Sequence, residues 1–261
     1  MSILTVTKGS QAVYRVNPVA KLAASAVISI ALVLSIDWVS ATVALALEAL
    51  LFPFAGLSFA QFLRRTAAVW IAAILGAFTI LLYGRASGEV YLQFLLITVS
   101  DGSIELAIAT FLRVLAIALP AVVLFATVDP TDLADGLAQI LRLPARFVVG
   151  ALAGLRLTGL FLDDWRSLEL ARRARGIADG GRIRRFVGQA FALLVLSIRR
   201  GSKLATAMEA RAFGAPGART WARESRLGAG DALLITLGVL VAAAAVATSV
   251  ATGHWNFIGG Q

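Results

Sequence analysis

The sequence predicts an all-α integral membrane protein: about five transmembrane helices plus two long amphipathic helices on the cytoplasmic side. Three observations carry this. Of the 261 residues, 59% are apolar and only 15% charged, where a soluble domain of this size carries about a quarter charged residues. Apolar runs approaching the roughly 20 residues that cross a bilayer as helix recur along the chain. The net charge of +9 is also concentrated, residues 129–226 holding 17 Lys and Arg against 9 Asp and Glu. A pI near 11.1 is compatible with nucleic-acid binding. In a chain this apolar, however, the excess of Lys and Arg in cytoplasmic loops is the simpler account, and no nucleic-acid partner is expected.

Taken in order, Asn17-Pro18 is a helix entry, with asparagine as cap and proline in the first turn. The first span is expected over residues 22–36, followed by a reversal at Asp37-Trp38 and a second span over 39–55. Arg64-Arg65 closes a short loop before the third span, 66–83. Residues 85–101 are less regular, and Ser100-Asp101-Gly102-Ser103 reads as a turn and a cap before the fourth span, 104–128. Asp129-Pro130-Thr131-Asp132 stops that span and starts another helix. A long helix is expected from Ala145 to about Ile177, a break at Asp179-Gly180-Gly181, and a second long helix from Arg182 to about Phe213. A glycine-rich link leads to the last span, 232–252. The organisation is therefore 1–128, a membrane domain of four spans; 129–226, a cytoplasmic domain; and 227–261, a final transmembrane helix. The N-terminus, with Lys8 and Arg15 but no apolar core directly behind them, is expected to carry no cleaved signal peptide.

The topology follows from charge. With Lys8, Arg15 and Lys21 inside, Arg64-Arg65 and the block 129–226 also fall inside, so the N-terminus and the basic block are cytoplasmic. Residues 147–162 and 186–198 are apolar enough to pass for spans. If both crossed, Arg172, Arg173, Arg175, Arg182, Arg184 and Arg185 would be exported, against that bias. They are read instead as cytoplasmic or interfacial amphipathic helices, with seven spans as the alternative.

Several chemistries are excluded. There is no cysteine, hence no disulfide and no thiolate metal site, and one histidine leaves no Cys/His cluster. No Walker A loop is present, and Ser/His/Asp catalysis would need His254. No cofactor and no metal are expected. Glu48 and Arg113 lie within spans: they mark a translocation path, or they satisfy each other or a backbone carbonyl. Gly150 and Gly154 form G-x-x-x-G, a helix-packing signal.

The most distinctive feature is a repeated arginine motif: Ala174-Arg175-Gly176 and Ala210-Arg211-Ala212, each closing a helical pattern. Such basic stretches also occur as plain solvated loops. Here the same Ala-Arg-small pattern recurs at equivalent places. Small neighbours leave each guanidinium clear, and a helix C-terminus favours a cation. The planar five-donor fork suits a carboxylate or carbonyls on another protein.

With Asn17-Pro18, Lys21-Leu22, Thr98-Val99, Asp101-Gly102, Arg113, Asp129-Pro130, Leu133, Leu137, Leu143-Pro144 and Arg156, these motifs resemble the transmembrane T component of energy-coupling factor (ECF) transporters, ABC-type importers of vitamins, vitamin precursors and trace metals. The resemblance implies a non-catalytic subunit in a bacterial or archaeal cytoplasmic membrane. Its partners would be two ABC-type ATPase subunits, docked at Ala174, Arg175, Gly176, Ala210, Arg211 and Ala212, and a substrate-binding S component. The coupling-helix surface for that S component is expected to include Leu157, Phe161, Trp165, Leu168, Leu204 and Met208. Ala212 departs from the family pattern, which usually has glycine there. The alternative function is a self-sufficient secondary transporter, which would need more ionisable groups in its spans.

Overall fold

The computed structural model describes residues 12–35, 37–84, 87–94, 97–176, 181–215 and 220–255. Ile36, Arg85, Leu95-Leu96, the expected break at Asp179-Gly180 and most of the residues before Val13 lie outside them. Asn17 caps the first helix as its sequence predicts: its Oδ1 accepts the Val19 N–H at 2.9 Å, and Pro18 opens α1 (Pro18–Val33). Asp37 caps α2 (Trp38–Leu51), and Phe52–Ala55 is a single 3-10 turn with Pro53 in it. α3 (Phe59–Tyr83) begins about two turns earlier than expected because Gln61 Oε1 reaches back to the Ser58 N–H at 3.4 Å, so Arg64 and Arg65 lie on the helix. α4 (Asp101–Phe125), α5 (Pro130–Gln139), α6 (Ala145–Ala174), α7 (Arg182–Ala210) and α8 (Ala229–Ala251) follow.

Residues 90–100, expected only as an irregular stretch, form an antiparallel hairpin of β1 (Val90–Phe94) and β2 (Ile97–Ser100), with a register shift between Val90 and Leu92. Asp101 holds it to the start of α4, accepting the Tyr91 hydroxyl at 2.7 Å and the Glu89 N–H at 3.1 Å. This bond favours the neutral Tyr91 phenol and raises its pKa. A Cβ on Gly102 would lie 1.8 Å from Ser87 Oγ, so Asp101-Gly102 has a steric reason.

The described residues divide into two compact units, one of Ala134–Ser225 and one of those up to Leu133 together with those from Arg226 onward. In the second, α3 packs on α4, α1 on α8, and α2 on both α4 and α8. Ile28, Leu32, Ala44, Ala116, Val241 and Ala245 form one core cluster, and Ala73, Leu115 and Leu119 another. The close approach of α1 and α8 is set by Gly238, where a Cβ would sit 3.1 Å from Ala24. At the expected packing signal, Gly150 and Gly154, a Cβ would meet nothing within 4 Å among the described residues. A glycine pair cannot show from sequence alone which glycine has a helix opposite it.

Buried polar groups fasten both ends of α1. Lys21, 1% exposed, gives its Nζ to Thr127 Oγ1 at 2.7 Å. Asp231 Oδ1 accepts the Asn17 N–H at 2.6 Å. At the far end, Asp37 accepts Ser40 N–H and Oγ at 2.6 and 2.7 Å, Ser249 Oγ at 2.8 Å, and Ser35 Oγ. Burial pushes the Asp37 carboxyl up, but these hydrogen bonds outweigh it and hold its pKa below the ordinary carboxylate value. Arg113 donates to the Ser35 carbonyl. Of the two sequence alternatives the backbone carbonyl is therefore realised for Arg113, whereas Glu48, 2% exposed, has no hydrogen-bond partner among the described residues.

α3, α4 and α8, all expected as spans, are long and apolar enough to cross a membrane by length and composition, and so is α6, although its residues 147–162 are expected from charge to lie beside the membrane. α1 and α2 are shorter apolar helices of 16 and 14 residues, about 24 and 21 Å long. They stop where the Asp37 cluster and the Phe52-Pro53 turn begin. The protein is thus an all-α, multi-pass membrane protein carrying further amphipathic helices.

Candidate functional site: two arginine-capped helix ends

The 134–225 unit is built on α6 and α7. A small cluster of Ala134, Ala138 and Val148, with Leu137, Leu152 and Trp221 against it, seats the end of α5 on the start of α6. Gln139 holds the segment after α7 through the Arg223 carbonyl at 2.8 Å and the Ser225 N–H at 2.9 Å. α6 and α7 run antiparallel. Arg172 Nη1 donates to the Arg185 carbonyl at 3.2 Å, the Trp165 and Phe186 rings stand 5.6 Å apart, and Asp164 pairs with Arg200. Forward steps along α6 therefore meet backward steps along α7.

Both arginine motifs adopt one geometry. α6 ends at Ala174 and α7 at Ala210. The next residue caps each, Arg175 at φ −90°, ψ 4° and Arg211 at φ −95°, ψ 20°. The residue after that turns left-handed: Gly176 at φ 69° and Ala212 at φ 54°. The Gly176 N–H reaches the Arg173 carbonyl at 3.0 Å, and the Ala212 N–H reaches Glu209 at 2.9 Å. At the second end Phe213 N–H returns to Met208 at 2.9 Å, completing a Schellman cap. The helices stop three residues before their expected ends because the arginines are caps and do not continue the turn.

Ala174, Arg175, Gly176, Ala210, Arg211 and Ala212 are all exposed. Among the described residues neither Arg175 nor Arg211 has an ion-pair partner, whereas Arg173 pairs with Glu169 at 2.6 Å, Arg166 with Asp163 at 3.8 Å and Arg200 with Asp164. Each helix thus ends in a cation on a cap free of bulky neighbours, where the partial negative charge of the last carbonyls favours it by about 0.3–1 kcal/mol.

The six apolar residues expected to line a coupling surface, Leu157, Phe161, Trp165, Leu168, Leu204 and Met208, are all half-buried. Trp165 is engaged with Phe186 and lines a cavity of about 390 Å³ with Ile183, Arg185 and Gln189. The outward apolar face lies on α7, at Ile183, Val187, Phe191, Leu194 and Ile198, with Ile183 82% exposed. Their spacing of about four residues marks one helix face in the sequence, but not that this face is left uncovered. Among the described residues no group of His, Cys, Asp or Glu could hold a metal ion.

The cobalt transport protein (CbiQ) family matches residues 9–220. The chain belongs to that family. Among its relatives is an energy-coupling factor transporter transmembrane protein (EcfT) from Bacillus selenitireducens, 27% identical over 92% of this chain and 93% of that protein. Another EcfT, from Streptococcus equi subsp. equi, is 25% identical over 89% of this chain and 91% of its own length. A third, from Limosilactobacillus fermentum, is 27% identical over 66% and 68%. As a member of the family the chain is a membrane transport protein, and the match includes α6, α7 and both arginine caps.

Proposed function

We propose that this chain is the energy-coupling transmembrane subunit of an ECF-type importer. It takes ATP-driven motion from two cytoplasmic ATPase subunits and passes it to a substrate-binding S component, for uptake of a vitamin, vitamin precursor or trace metal ion. Catalysis belongs to the ATPases. The observation that carries this reading is the pair of matching helix ends, each presenting an exposed arginine without an ion-pair partner on a cap of small residues. Two equivalent protrusions on one chain suit two equivalent grooves, one on each ATPase subunit. An arginine fork in such a groove finds carboxylates or carbonyls in a geometry lysine cannot match.

On this reading 129–226 is the coupling domain and faces the cytoplasm with the N-terminus, as the concentration of arginine supports. The S component lies on the α6–α7 surface at Leu157, Phe161, Trp165, Leu168, Leu204 and Met208, extended by the exposed α7 stripe. The test is affinity purification of the tagged chain from its native membrane in mild detergent, with the co-purifying chains identified by mass spectrometry. ABC-type ATPases and a small hydrophobic protein are expected. The chain recovered folded and alone would overturn the proposal in favour of a self-sufficient carrier.

A further inference from the structure

Asp164 and Arg200 are 36 positions apart, the same separation as Arg175 and Arg211. Each therefore precedes the motif arginine of its own helix by eleven residues, about 16–17 Å of helix. The pair ties α6 to α7 at equal arm lengths from the two exposed arginines. It is bidentate, with Arg200 Nη2 on Asp164 Oδ1 at 2.9 Å and Nη1 on Oδ2, and it is half-buried, the side chains 36% and 18% exposed. A fork-on-carboxylate pair fixes direction as well as distance.

The other ties between the two helices lie to one side of it. Trp165 stacks on Phe186 and Arg172 reaches the Arg185 carbonyl, both in the first half of α7. Beyond Arg200, no hydrogen bond, ion pair or ring contact joins the last turns of α7 to α6 among the described residues. The Asp164–Arg200 pair is therefore the polar tie between the two helices nearest the Arg211 end among the described residues. We infer that Asp164 and Arg200 are positioning residues that set the spacing of the two arginine-capped ends. This rests on the coupling role proposed above: spacing matters because two fixed grooves must be engaged together.

The chain has no cysteine, so Leu170→Cys and Thr206→Cys, each five residues before its motif arginine and both exposed, accept spin labels without background. Pulsed electron paramagnetic resonance on the labelled full chain in lipid nanodiscs should give one narrow distance. Asp164→Arg and Arg200→Asp should each broaden it and shift it by about a helical turn, ~5 Å. The double exchange should restore it, together with ATPase co-purification, which a merely structural contact would not require. Arg200→Lys keeps the charge without the fork and should give an intermediate width, so the inference stays testable if a charge reversal fails to fold. An unchanged distance in the single variants, or no restoration in the double, overturns it. Should Arg175→Ala and Arg211→Ala leave ATPase binding intact, the coupling role fails instead, whatever the distances show.

Discussion

Arg175 and Arg211 occupy the same position in the same kind of helix end: each is the capping residue after a terminal alanine, and each is followed by a left-handed residue. Their equivalence in sequence is an equivalence of backbone, so the two guanidinium groups leave their helices at matching points. Arg175→Ala and Arg211→Ala should each weaken ATPase binding by about 2–5 kcal/mol, the range for losing one partner of a buried charge pair. Titration of purified ATPase onto the nanodisc-embedded chain measures this. Losses under 1 kcal/mol for both would mean that neither arginine enters a groove.

Ala212→Gly should stabilise the second helix end. A left-handed alanine costs roughly 1–2 kcal/mol that glycine does not pay, and Ala212 sits at φ 54°. The reciprocal change, Gly176→Ala, should cost a similar amount at φ 69° although a Cβ there meets nothing within 4 Å. Hydrogen exchange at the last turns of α6 and α7 reads both, with opposite signs expected.

Much of this end geometry was legible in the sequence, and some was not. Ala-Arg-small with a glycine within it or two residues on marks a stop, and Asn17-Pro18 marks a start, because caps are local. The hairpin at 90–100 does not show in the sequence because its strands are too short for alternation to stand out, and it is held by Tyr91 and Ser87 meeting the start of α4. Likewise the Asp164–Arg200 tie, the Trp165–Phe186 stack and the choice of the Ser35 carbonyl by Arg113 depend on which helices become neighbours. No residue pattern within one helix contains that information.

Gly238→Val should disrupt the α1–α8 contact, since even a methyl group would lie 3.1 Å from the Ala24 backbone and side chain. A destabilisation of about 1–3 kcal/mol is expected for overpacking of this kind. Gly150→Ala and Gly154→Ala should be tolerated. A thermal unfolding series in detergent distinguishes them, and equal effects at all three positions would contradict the assignment.

Stability should fall in acid through Asp37. Its pKa is lower in the folded state, so its contribution is complete above the ordinary carboxylate value, near 3.9. It is lost as pH falls from there through the depressed value. Asp37→Asn should flatten that limb and lower stability at neutral pH, because three serine hydroxyls lose their acceptor charge. Melting temperature against pH for both proteins is the check, with an unchanged acid limb counting against it.

Glu48→Met should leave transport intact and raise the melting temperature. Both carboxylate oxygens are buried without a partner among the described residues, and a well-packed apolar side chain removes that desolvation cost. Loss of uptake with a folded protein would instead give Glu48 a part in translocation.

The fastening of α1 has a consequence for biogenesis. One end is closed by Asp231 on Asn17, 214 positions apart, and the other by Ser249 on Asp37, 212 apart. Both partners arrive on α8, after the whole of 134–225 has left the ribosome. At roughly 5–20 residues per second, α1 waits on the order of ten to forty seconds for its neighbour. During that interval its face around Ala24 and Ile28 stands open in the bilayer. A ribosome stalled before Ala229 would therefore leave the α1 face uncovered and both of its polar fastenings unmade.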